Sequence, residues 1–302
     1  MKQIAAIMML ALAFLFTGCN EKTEETQVHT TREMTEETIV EETTQFLTTE
    51  EETEEETTQV PNPHENEMQS NLNGAWVSVE EGRKRPVAVM MNNIKASTPQ
   101  SHIAQADVVY EAPVEGGITR FMALFSDVSE LGDIGSVRSA RTYYAILQHE
   151  WDAVFCHYGQ AVFAEPYTNN DAFCDNLNGL EGIGNTVYYR VKWKKSPNNA
   201  YTSGERILEG ISKMGYRTSH TELYAGGPLM FADEGEEIAM ENSIPASKVE
   251  IGLTVSKPWY EYHAEDGLYY RYQYEQAHTD ETTKEQVACK NLIIQYVPWE
   301  YY

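Results

Sequence analysis

Apolar runs separated by polar turns mark a group of strands in the middle of the chain. They are "RPVAVMMN" at 85–92, "ADVVYEA" at 106–112, "ITRFMALFSD" at 118–127 and "DAVFCHYG" at 152–159. Apolar and polar positions alternate only loosely in these runs, and short runs of this kind are typical of strands inside a core. The pattern predicts that the four strands belong to one sheet.

Apolar residues with helical spacing follow in two segments, 139–151 and 202–216. The predicted stripe of the first helix comprises Tyr143, Ile146, Leu147 and Trp151. The predicted stripe of the second comprises Ile207, Ile211 and Met214. Ser203 is placed to cap the second helix and Gly215 to end it. Strands interspersed with helices predict an α+β domain with a mixed sheet over residues 73–232.

The pattern changes after Asp233 to the strand-like segments "SKVEIGLTVS", "WYEYHAEDGLYYRYQYEQ" and "KNLIIQYV". "EDG" in the second segment predicts a hairpin turn, so residues 233–302 are predicted to form a smaller, mainly β domain. Its aromatic residues either pack across strands or form a carbohydrate-stacking face. Because an uncovered edge strand is sticky, the apolar ending "IIQYVPWEYY" predicts an incomplete domain.

The chain begins with "MKQIAAIMMLALAFLFTGCN", in which thirteen apolar residues run from Ile4 to Phe16. As a helix they would span about 20 Å, which is less than the roughly 30 Å of a bilayer core. Residues 1–18 are therefore predicted to be a signal peptide. The end of this segment resembles a bacterial lipobox, which predicts lipidation of Cys19 and anchoring at the extracytoplasmic face of the plasma membrane. The alternative is an ordinary signal peptide followed by a chance cysteine.

Residues 19–72 are rich in glutamate and threonine and poor in apolar residues. Positions 20–70 hold sixteen glutamates against Lys22 and Arg32, and so carry −14 of the net charge of −25. Such a segment is predicted to be a disordered tether of about 40 Å or more, although its glutamates could also bind cations or a basic partner. Residues 71–302, which carry −12, show no basic stripe, which argues against nucleic acid as a partner.

The three cysteines beyond Cys19 are Cys156, Cys174 and Cys289, and none has C-x-x-C spacing. This excludes a zinc ribbon or a disulfide framework. Cys156 and Cys174 could pair, but buried free thiols are the favoured interpretation. No H-x-x-H or Asp/His cluster indicates a metal, and no motif indicates a cofactor.

Several strings between Arg85 and Ser203 are specific enough to resemble a known family. They are "RPVAVMMNN", "PQSHIAQADVVYEAPVEGGITRFMALF", "GSVRSAR", "DNLNGL" and "SPNNAYTS". In order and spacing they resemble the YerB-like family of bacterial lipoproteins, which has a domain of unknown function. The resemblance begins near Trp76 and weakens after Asp233. It implies a lipid-anchored envelope protein with an N-terminal α+β domain, a smaller β-rich domain that continues beyond Tyr302, and no settled activity.

The few charged residues inside these strings make one candidate site. They comprise Asp107, Glu111, Glu115, Arg120, Arg138, Arg141 and Arg190. Strand alternation places Asp107 and Glu111 on one face, and a spacing of three places Arg138 and Arg141 on one face of a helix start. Because charges near a core need partners, we expect these side chains to cluster.

Two interpretations of this cluster stay open. Glu111 or Glu115 could hold Arg138 and Arg141 in a structural ion-pair network. Alternatively, the cluster binds an anion, since arginine at a helix N-terminus is unfavourable unless something negative is bound there. The arginine fork suits phosphate or carboxylate, which in a cell wall means teichoic-acid phosphates, peptidoglycan stem carboxylates or an acidic patch of a protein partner.

Catalytic interpretations have less support. Cys156 and His157 are neighbours on a strand and so point to opposite faces, and Ser139 lies outside a nucleophile elbow and is predicted to cap a helix. Glu111 and Glu115 could act as paired carboxylates of a wall-glycan hydrolase. The sequence therefore favours a lipid-anchored accessory or binding module for an anionic wall component or a membrane protein partner, with the hydrolase as the alternative.

Overall fold

Short strands alternate with short helices along the described part of the chain. A computed structural model describes residues 63–232, 235–236, 238 and 241–298. The predicted signal peptide, Cys19 and most of the predicted tether lie outside these residues. The described residues fall within one compact unit, Val60–Tyr302.

The strands are β1 Glu67–Gln69, β2 Trp76–Ser78, β3 Val87–Asn92, β4 Val108–Pro113, β5 Thr119–Phe125, β6 Ile134–Gly135, β7 Val154–His157, β8 Asn176–Asn178, β9 Tyr189–Arg190, β10 Ala200–Thr202, β11 Lys248–Glu250, β12 Trp259–His263, β13 Leu268–Gln273, β14 Gln276–Ala277 and β15 Ala288–Cys289. The α-helices are α1 Val79–Gly82, α2 Thr142–Glu150, α3 Glu165–Thr168, α4 Gly184–Val187 and α5 Gly204–Met214. Single 3₁₀ turns form at Lys95–Ser97, Ile103–Gln105, Glu115–Gly117 and Val162–Ala164.

The central sheet has five strands in the order β4-β5-β3-β7-β8. β4, β5 and β3 are antiparallel neighbours, with Met90 opposite Met122. β7 and β8 run parallel to β3, with Val89 opposite Cys156. The four predicted strands are all present in this one mixed sheet, so the predicted α+β class with a mixed sheet is confirmed.

Both faces of the central sheet are buried. In β5, Phe121 and Phe125 belong to one apolar core, while Met122 and Leu124 belong to a second core on the other side. A strand covered on both faces needs apolar residues at every position. This is the physical reason for the loose alternation in the sequence.

Helix α5 covers the first core and begins and ends as predicted. The Ser203 hydroxyl accepts a hydrogen bond from the amide of Arg206, and Gly215 ends the helix with a φ of 69°. Ile207 and Ile211 are buried, whereas Met214 is largely exposed. The predicted stripe is therefore confirmed for its first two turns.

Helix α2 begins later than predicted, and only Leu147 and Trp151 of its predicted stripe pack into the second core. Ser139 is not its cap, because the helix begins at Thr142 after an extended Arg141. Its buried residues are Tyr144, Ala145 and Gln148, while Tyr143 and Ile146 of the predicted stripe are exposed. The Tyr144 hydroxyl donates to the carbonyl oxygen of Arg120 at 2.5 Å. This contact with β5 fixes the rotation of the helix, and it could not be read from local spacing.

The folded body begins before residue 73, where the tether was predicted to end. β1 pairs with β2, which places Met68 opposite Val77, and Leu72 is buried in the second core. Met68 and Leu72 are isolated apolar residues in a polar stretch. Their partners are distant in the sequence, so local composition did not reveal them.

The C-terminal part forms the predicted mainly β region. The hairpin β12–β13 pairs from Trp259 opposite Tyr272 to His263 opposite Leu268, and so turns at the predicted "EDG". β11 and β14 extend this antiparallel sheet, and β15 also pairs with β13. The predicted strand over "KNLIIQYV" does not form, since 290–298 contains no strand.

A buried polar junction holds the C-terminal sheet against β4 and β5. Nη2 of Arg271 donates to Oε2 of Glu111 at 2.8 Å. Nη1 of Arg271 lies 2.6 Å from Nδ1 of His278, and Nε2 of His278 lies 2.6 Å from Oε1 of Gln100. The Arg271 guanidinium also lies over the Phe121 ring at 5.0 Å. Because arginine only donates, His278 must accept at Nδ1 and is neutral in this arrangement.

Acid should therefore weaken the fold. Burial, and then the charge of Arg271, hold the pKa of His278 well below its usual value, and burial lowers the pKa of His157 to about 4. The unfolded chain takes up protons near pH 6.5 that the folded chain refuses. Stability is fully present above about pH 6.5 and is lost toward about pH 4, by up to about 1.4 kcal/mol per pH unit for each histidine.

Denaturant titrations at several pH values in this range measure how steeply the free energy of unfolding falls with pH. His278→Gln removes one of the two histidines that cause this pH dependence, so we expect the free energy of unfolding to fall with pH about half as steeply. Equal slopes in His278→Gln and the unaltered chain would contradict this account.

Candidate functional site

Buried polar side chains collect where the parallel strands of the central sheet end. Asn92 and Asn93 close β3, His157 closes β7 and Asn178 closes β8, and all four are buried. The side-chain Nδ2 of Asn92 donates to Oδ1 of Asn198 at 2.8 Å. Ligands of open α/β sheets bind outside the carboxyl ends of the strands. The carboxyl edge of the parallel strands is therefore the expected place for a ligand-binding site in this fold.

The segment "GSVRSAR" crosses this carboxyl edge in extended form. The amide of Arg138 donates to the carbonyl oxygen of Met90 at 2.9 Å, and the amide of Tyr158 donates to the carbonyl oxygen of Arg138 at 3.1 Å. Arg138 thus lies between the ends of β3 and β7. The prediction that Arg138 and Arg141 share a face of a helix start is wrong, because the chain is still extended at Arg141.

Arg141 forms the one close ion pair with a predicted carboxylate at this edge. Its Nε and Nη2 donate to the two oxygens of Glu115 at 2.7 and 2.5 Å. The hydrogen bond from Arg141 lowers the pKa of Glu115, although the Glu115 side chain remains 67% exposed. Arg141 also donates from Nη1 to the carbonyl oxygen of Ala140 at 2.8 Å. One arginine and one carboxylate of the predicted cluster therefore satisfy each other.

Arg120 is buried at the same place without a carboxylate partner. Only 5% of the residue is exposed. Nη1 donates to the carbonyl oxygen of Ser139, while Nε has no hydrogen-bond partner. Burial and the neighbouring charges of Arg141 and Arg138 lower the pKa of Arg120 to about 10. Arg120 is therefore still charged at neutral pH, and Glu115, the carboxylate that attracts it, is hydrogen-bonded to Arg141 instead.

Arg138 and Arg190 add two more cations. Arg138 donates to the carbonyl oxygen of Pro197 at 3.2 Å, and its Nε is buried without a partner. Burial, then Arg141 and Arg190, lower the pKa of Arg138. The Arg190 guanidinium lies 4.7 Å from the centre of the Tyr158 ring. Among the residues that the structure describes, Arg120, Arg138 and Arg190 form no ion pair.

These side chains define an arginine cluster, made of Arg120, Arg138, Arg141 and Arg190. Arg120 and Arg141 converge on one acceptor, since both donate to the carbonyl oxygen of Ser139. Glu115 is the carboxylate held within the cluster. Charges that are taken out of water need compensation, and the one carboxylate is hydrogen-bonded to Arg141 while Arg120 is buried and Arg138 half-buried beside it. The arrangement is suited to an anion.

The other two predicted site residues lie elsewhere. Ala112 is opposite Arg120 in the sheet, so alternation turns Glu111 to the other face, where it pairs with Arg271. Asp107 accepts from the side chain of Asn73 at 2.7 Å and from the amide of Ser126 at 2.8 Å. The expectation that all seven charged residues form one cluster is therefore wrong, because it ignored which sheet face each side chain reaches.

The described residues offer little support for a catalytic or metal-binding site. Cys156 lies in the first core and burial raises its pKa to about 12. The neighbouring His157 packs against Phe155 instead, with ring centres 4.9 Å apart. Cys156 and Cys174 are both free. Within the ranges the structure describes, no three His, Cys, Asp or Glu side chains are grouped to hold a metal ion.

Sequence reasoning missed the buried amides and the aromatic partner of the cluster. Asn92 and Asn198 hydrogen-bond to each other, and Tyr158 stacks on Arg190. The available signal was the pair "NN" in "VMMNN" and in "SPNNAY", since a buried asparagine among apolar residues needs a specific partner.

The chain belongs to a family of unknown function. The model "Protein of unknown function (DUF3048) N-terminal domain" matches residues 72–217, and the C-terminal domain of the same family matches residues 249–301. The family resemblance seen in the sequence is thereby confirmed.

A relative from Bacillus subtilis (strain 168) is named "Putative lipoprotein YerB". It is 31% identical over 229 residues, which are 76% of this chain and 67% of the relative. The crystal structure of YerB protein from Bacillus subtilis matches this chain with a TM-score of 0.60 at 30% identity, and covers 73% of this chain and 72% of the other. The relative's name concerns lipoproteins, and neither name states an activity. Among the described residues, no helix has the length and apolar character of a membrane span.

Proposed function

We propose that this protein is a lipid-anchored binding module of the cell envelope that recognises an anionic ligand through the arginine cluster. The lipobox-like sequence ending at Cys19 and the name of the Bacillus relative support the anchor. The extracytoplasmic face of the plasma membrane is the location that such an anchor gives.

One observation carries the binding proposal, namely that Arg120 is buried without a hydrogen-bonded carboxylate. A charged residue of which only 5% is exposed, with a partnerless Nε, is a costly feature if nothing ever binds beside it. Arg138 has the same partnerless Nε. An anion in contact with both would offset the cost of their burial.

The chemistry of the cluster favours phosphate or carboxylate as the bound group. Guanidinium forks donate two parallel hydrogen bonds to such anions. Helix α2, of nine residues, begins directly after Arg141, so its free amides add a partial positive charge. In a cell wall this chemistry occurs in phosphate polymers and in peptide carboxylates, and an acidic patch of a membrane protein partner would offer it as well.

The hydrolase alternative has weaker support. Paired catalytic carboxylates must face one bond from two sides, with one of them a proton donor of raised pKa. Glu111 and Glu115 are each paired with a different arginine, Arg271 and Arg141, and the pKa of Glu115 is lowered. Release of muropeptides by the unaltered protein, but not by Glu115→Gln, would overturn the binding proposal.

Co-sedimentation with cell walls tests the function. The full-length chain, purified in non-ionic detergent, is mixed with intact walls and with walls whose phosphate polymers have been removed by acid. We expect binding to intact walls and a loss on extraction if phosphate is the ligand, whereas persistence would indicate carboxylates. Failure to bind either wall or any solubilised membrane protein would contradict the proposal.

The anchor has its own test. If Cys19 carries the lipid, Cys19→Ala should move the protein from the membrane fraction to the medium, because the acyl chains supply its membrane affinity. Immunoblots of both fractions measure this, and a variant of the neighbouring residue, Asn20→Ala, is the matched control. Retention of Cys19→Ala on the membrane would count against lipidation.

A further inference from the structure

The loop between β9 and β10, residues 191–199, is called the basic loop here and is held in place at both ends. The amide of Val191 donates to the carbonyl oxygen of Asn199 at 2.9 Å. Lys194 points inward, where its Nζ lies 3.1 Å from Glu281 and the side chain is 9% exposed. One lysine of the loop is therefore a structural anchor, and the loop has a defined shape.

The anchored loop presents its other cations to solvent. Lys192 and Lys195 are exposed, and neither forms an ion pair with a described residue. Trp193 between them is 57% exposed and lies edge-on to Tyr201, with ring centres 5.8 Å apart. Two unpaired lysines beside an ordered, exposed indole are unusual on a body whose net charge is −12.

The basic loop is continuous with the arginine cluster. Its Pro197 supplies the carbonyl oxygen to which Arg138 donates at 3.2 Å. Its Asn199 supplies the Oδ1 to which Arg190 donates at 3.1 Å. Positive charge therefore extends without a break from buried Arg120, through the cluster, to the exposed lysines of the loop.

We propose that the ligand is a linear polyanion with phosphate groups, whose one unit occupies the arginine cluster while following units lie along the basic loop. This inference rests on the proposed function, since it names the ligand class of that same site. A single small anion would contact the cluster alone and leave Lys192 and Lys195 without a role. A chain of phosphates matches both parts, and its release of counterions gives an affinity that rises with chain length.

A flat membrane surface fits these observations less well. Exposed lysine and tryptophan do occur where proteins touch anionic lipid. A lipid surface could meet Lys192, Trp193 and Lys195, but a flat surface lies over exposed residues, whereas Arg138 of the cluster is half-buried. A flexible chain can place one phosphate against Arg138 and Arg190 and follow the loop beyond them.

Binding of inorganic polyphosphate to the full-length chain in non-ionic detergent tests the inference. A fluorescent polyphosphate of about 60 units is the long probe, and tripolyphosphate, which occupies the cluster alone, is the short one. We expect the long probe to bind at least about tenfold more tightly and with a steeper dependence on salt. Equal affinity of the two probes would overturn the inference.

Two double variants separate the loop from the cluster. Lys192→Ser with Lys195→Ser should weaken the long probe about tenfold and leave tripolyphosphate unchanged. Lys84→Ser with Lys290→Ser removes the same charge from exposed positions outside the basic loop and the arginine cluster. This pair should change the affinity for neither probe. An effect of the control pair as large as that of the loop pair would mean non-specific attraction and would overturn the inference.

The remaining outcomes distinguish this inference from the proposed function. If Arg138→Ala with Arg141→Ala abolishes binding of both probes while the loop pair has no effect, the anion site stands and the polymer inference fails. If neither probe binds, both fail. If phosphatidylglycerol added to the micelles displaces polyphosphate and Trp193→Ser abolishes that displacement, the loop is a membrane contact and the polymer inference fails.

Discussion

Arg138→Ala with Arg141→Ala should reduce binding to the cell wall by at least about 100-fold. Hydrogen bonds to charged groups contribute about 1.5–3 kcal/mol each, and two of them correspond to that factor. The fold should survive the change. Arg141 loses an ion pair with a largely exposed Glu115, and Arg138 loses one hydrogen bond to Pro197, so we expect the Tm to fall by only a few degrees.

Two control variants sharpen this experiment. Arg83→Ala with Lys84→Ala removes two charges before the amino end of β3, at the opposite edge of the sheet, and should leave binding intact. Arg138→Lys with Arg141→Lys keeps the charge but loses the planar forks, and should give intermediate affinity. Unfolding of the alanine pair, measured by thermal denaturation, would instead identify the arginines as a structural network.

Arg271→Ala should cause the largest loss of stability, about 3–5 kcal/mol. The reason is that it leaves Glu111 as a buried charge without its partner. It also removes the donor to Nδ1 of His278 and the cation that lies over Phe121. The free energy of unfolding, from denaturant titration, measures the effect, and the C-terminal sheet should detach first in hydrogen exchange.

A double-mutant cycle shows whether the pair itself is responsible. Because Glu111→Ala removes the charge that Arg271→Ala leaves stranded, the double variant should lose less stability than the two single losses added together. Lys248→Ala with Glu250→Ala, an exposed pair at 2.6 Å in the same sheet, is the matched control and should leave the free energy of unfolding nearly unchanged. Additive losses at Glu111 and Arg271 would contradict a coupled junction.

Local pattern was a sound guide to elements whose partners are close in sequence. Helix α5 has its cap at Ser203 and its stop at Gly215, both within reach of the local backbone. The hairpin β12–β13 turns where "EDG" indicated. Helix α2 was placed less well, because Tyr144 is oriented by β5 across the sheet and no spacing within the helix encodes that contact.

The candidate site was predicted in its composition and only partly in its arrangement. Arg138 and Arg141 do lie together at the carboxyl edge, and Arg141 is paired with Glu115 as one interpretation required. The same pairing leaves Arg120 and Arg138 without a hydrogen-bonded carboxylate, and their Nε atoms without partners, which is what the other interpretation required. The ion-pair interpretation therefore applies to Arg141 and the anion-site interpretation to Arg120 and Arg138. A list of charged residues could not show which arginine has which role.

The sequence by itself determined the α+β class, the four core strands, the family and the presence of an arginine-rich segment. These follow from local pattern and from strings of residues, which act over a few positions. Tertiary structure alone decided that Glu111 faces the C-terminal sheet, where it pairs with Arg271, while Arg120 is buried on the other face without a carboxylate. The physical reason is that alternation fixes only the relative sides of neighbouring residues, whereas the segment that covers each side is set by distant parts of the chain.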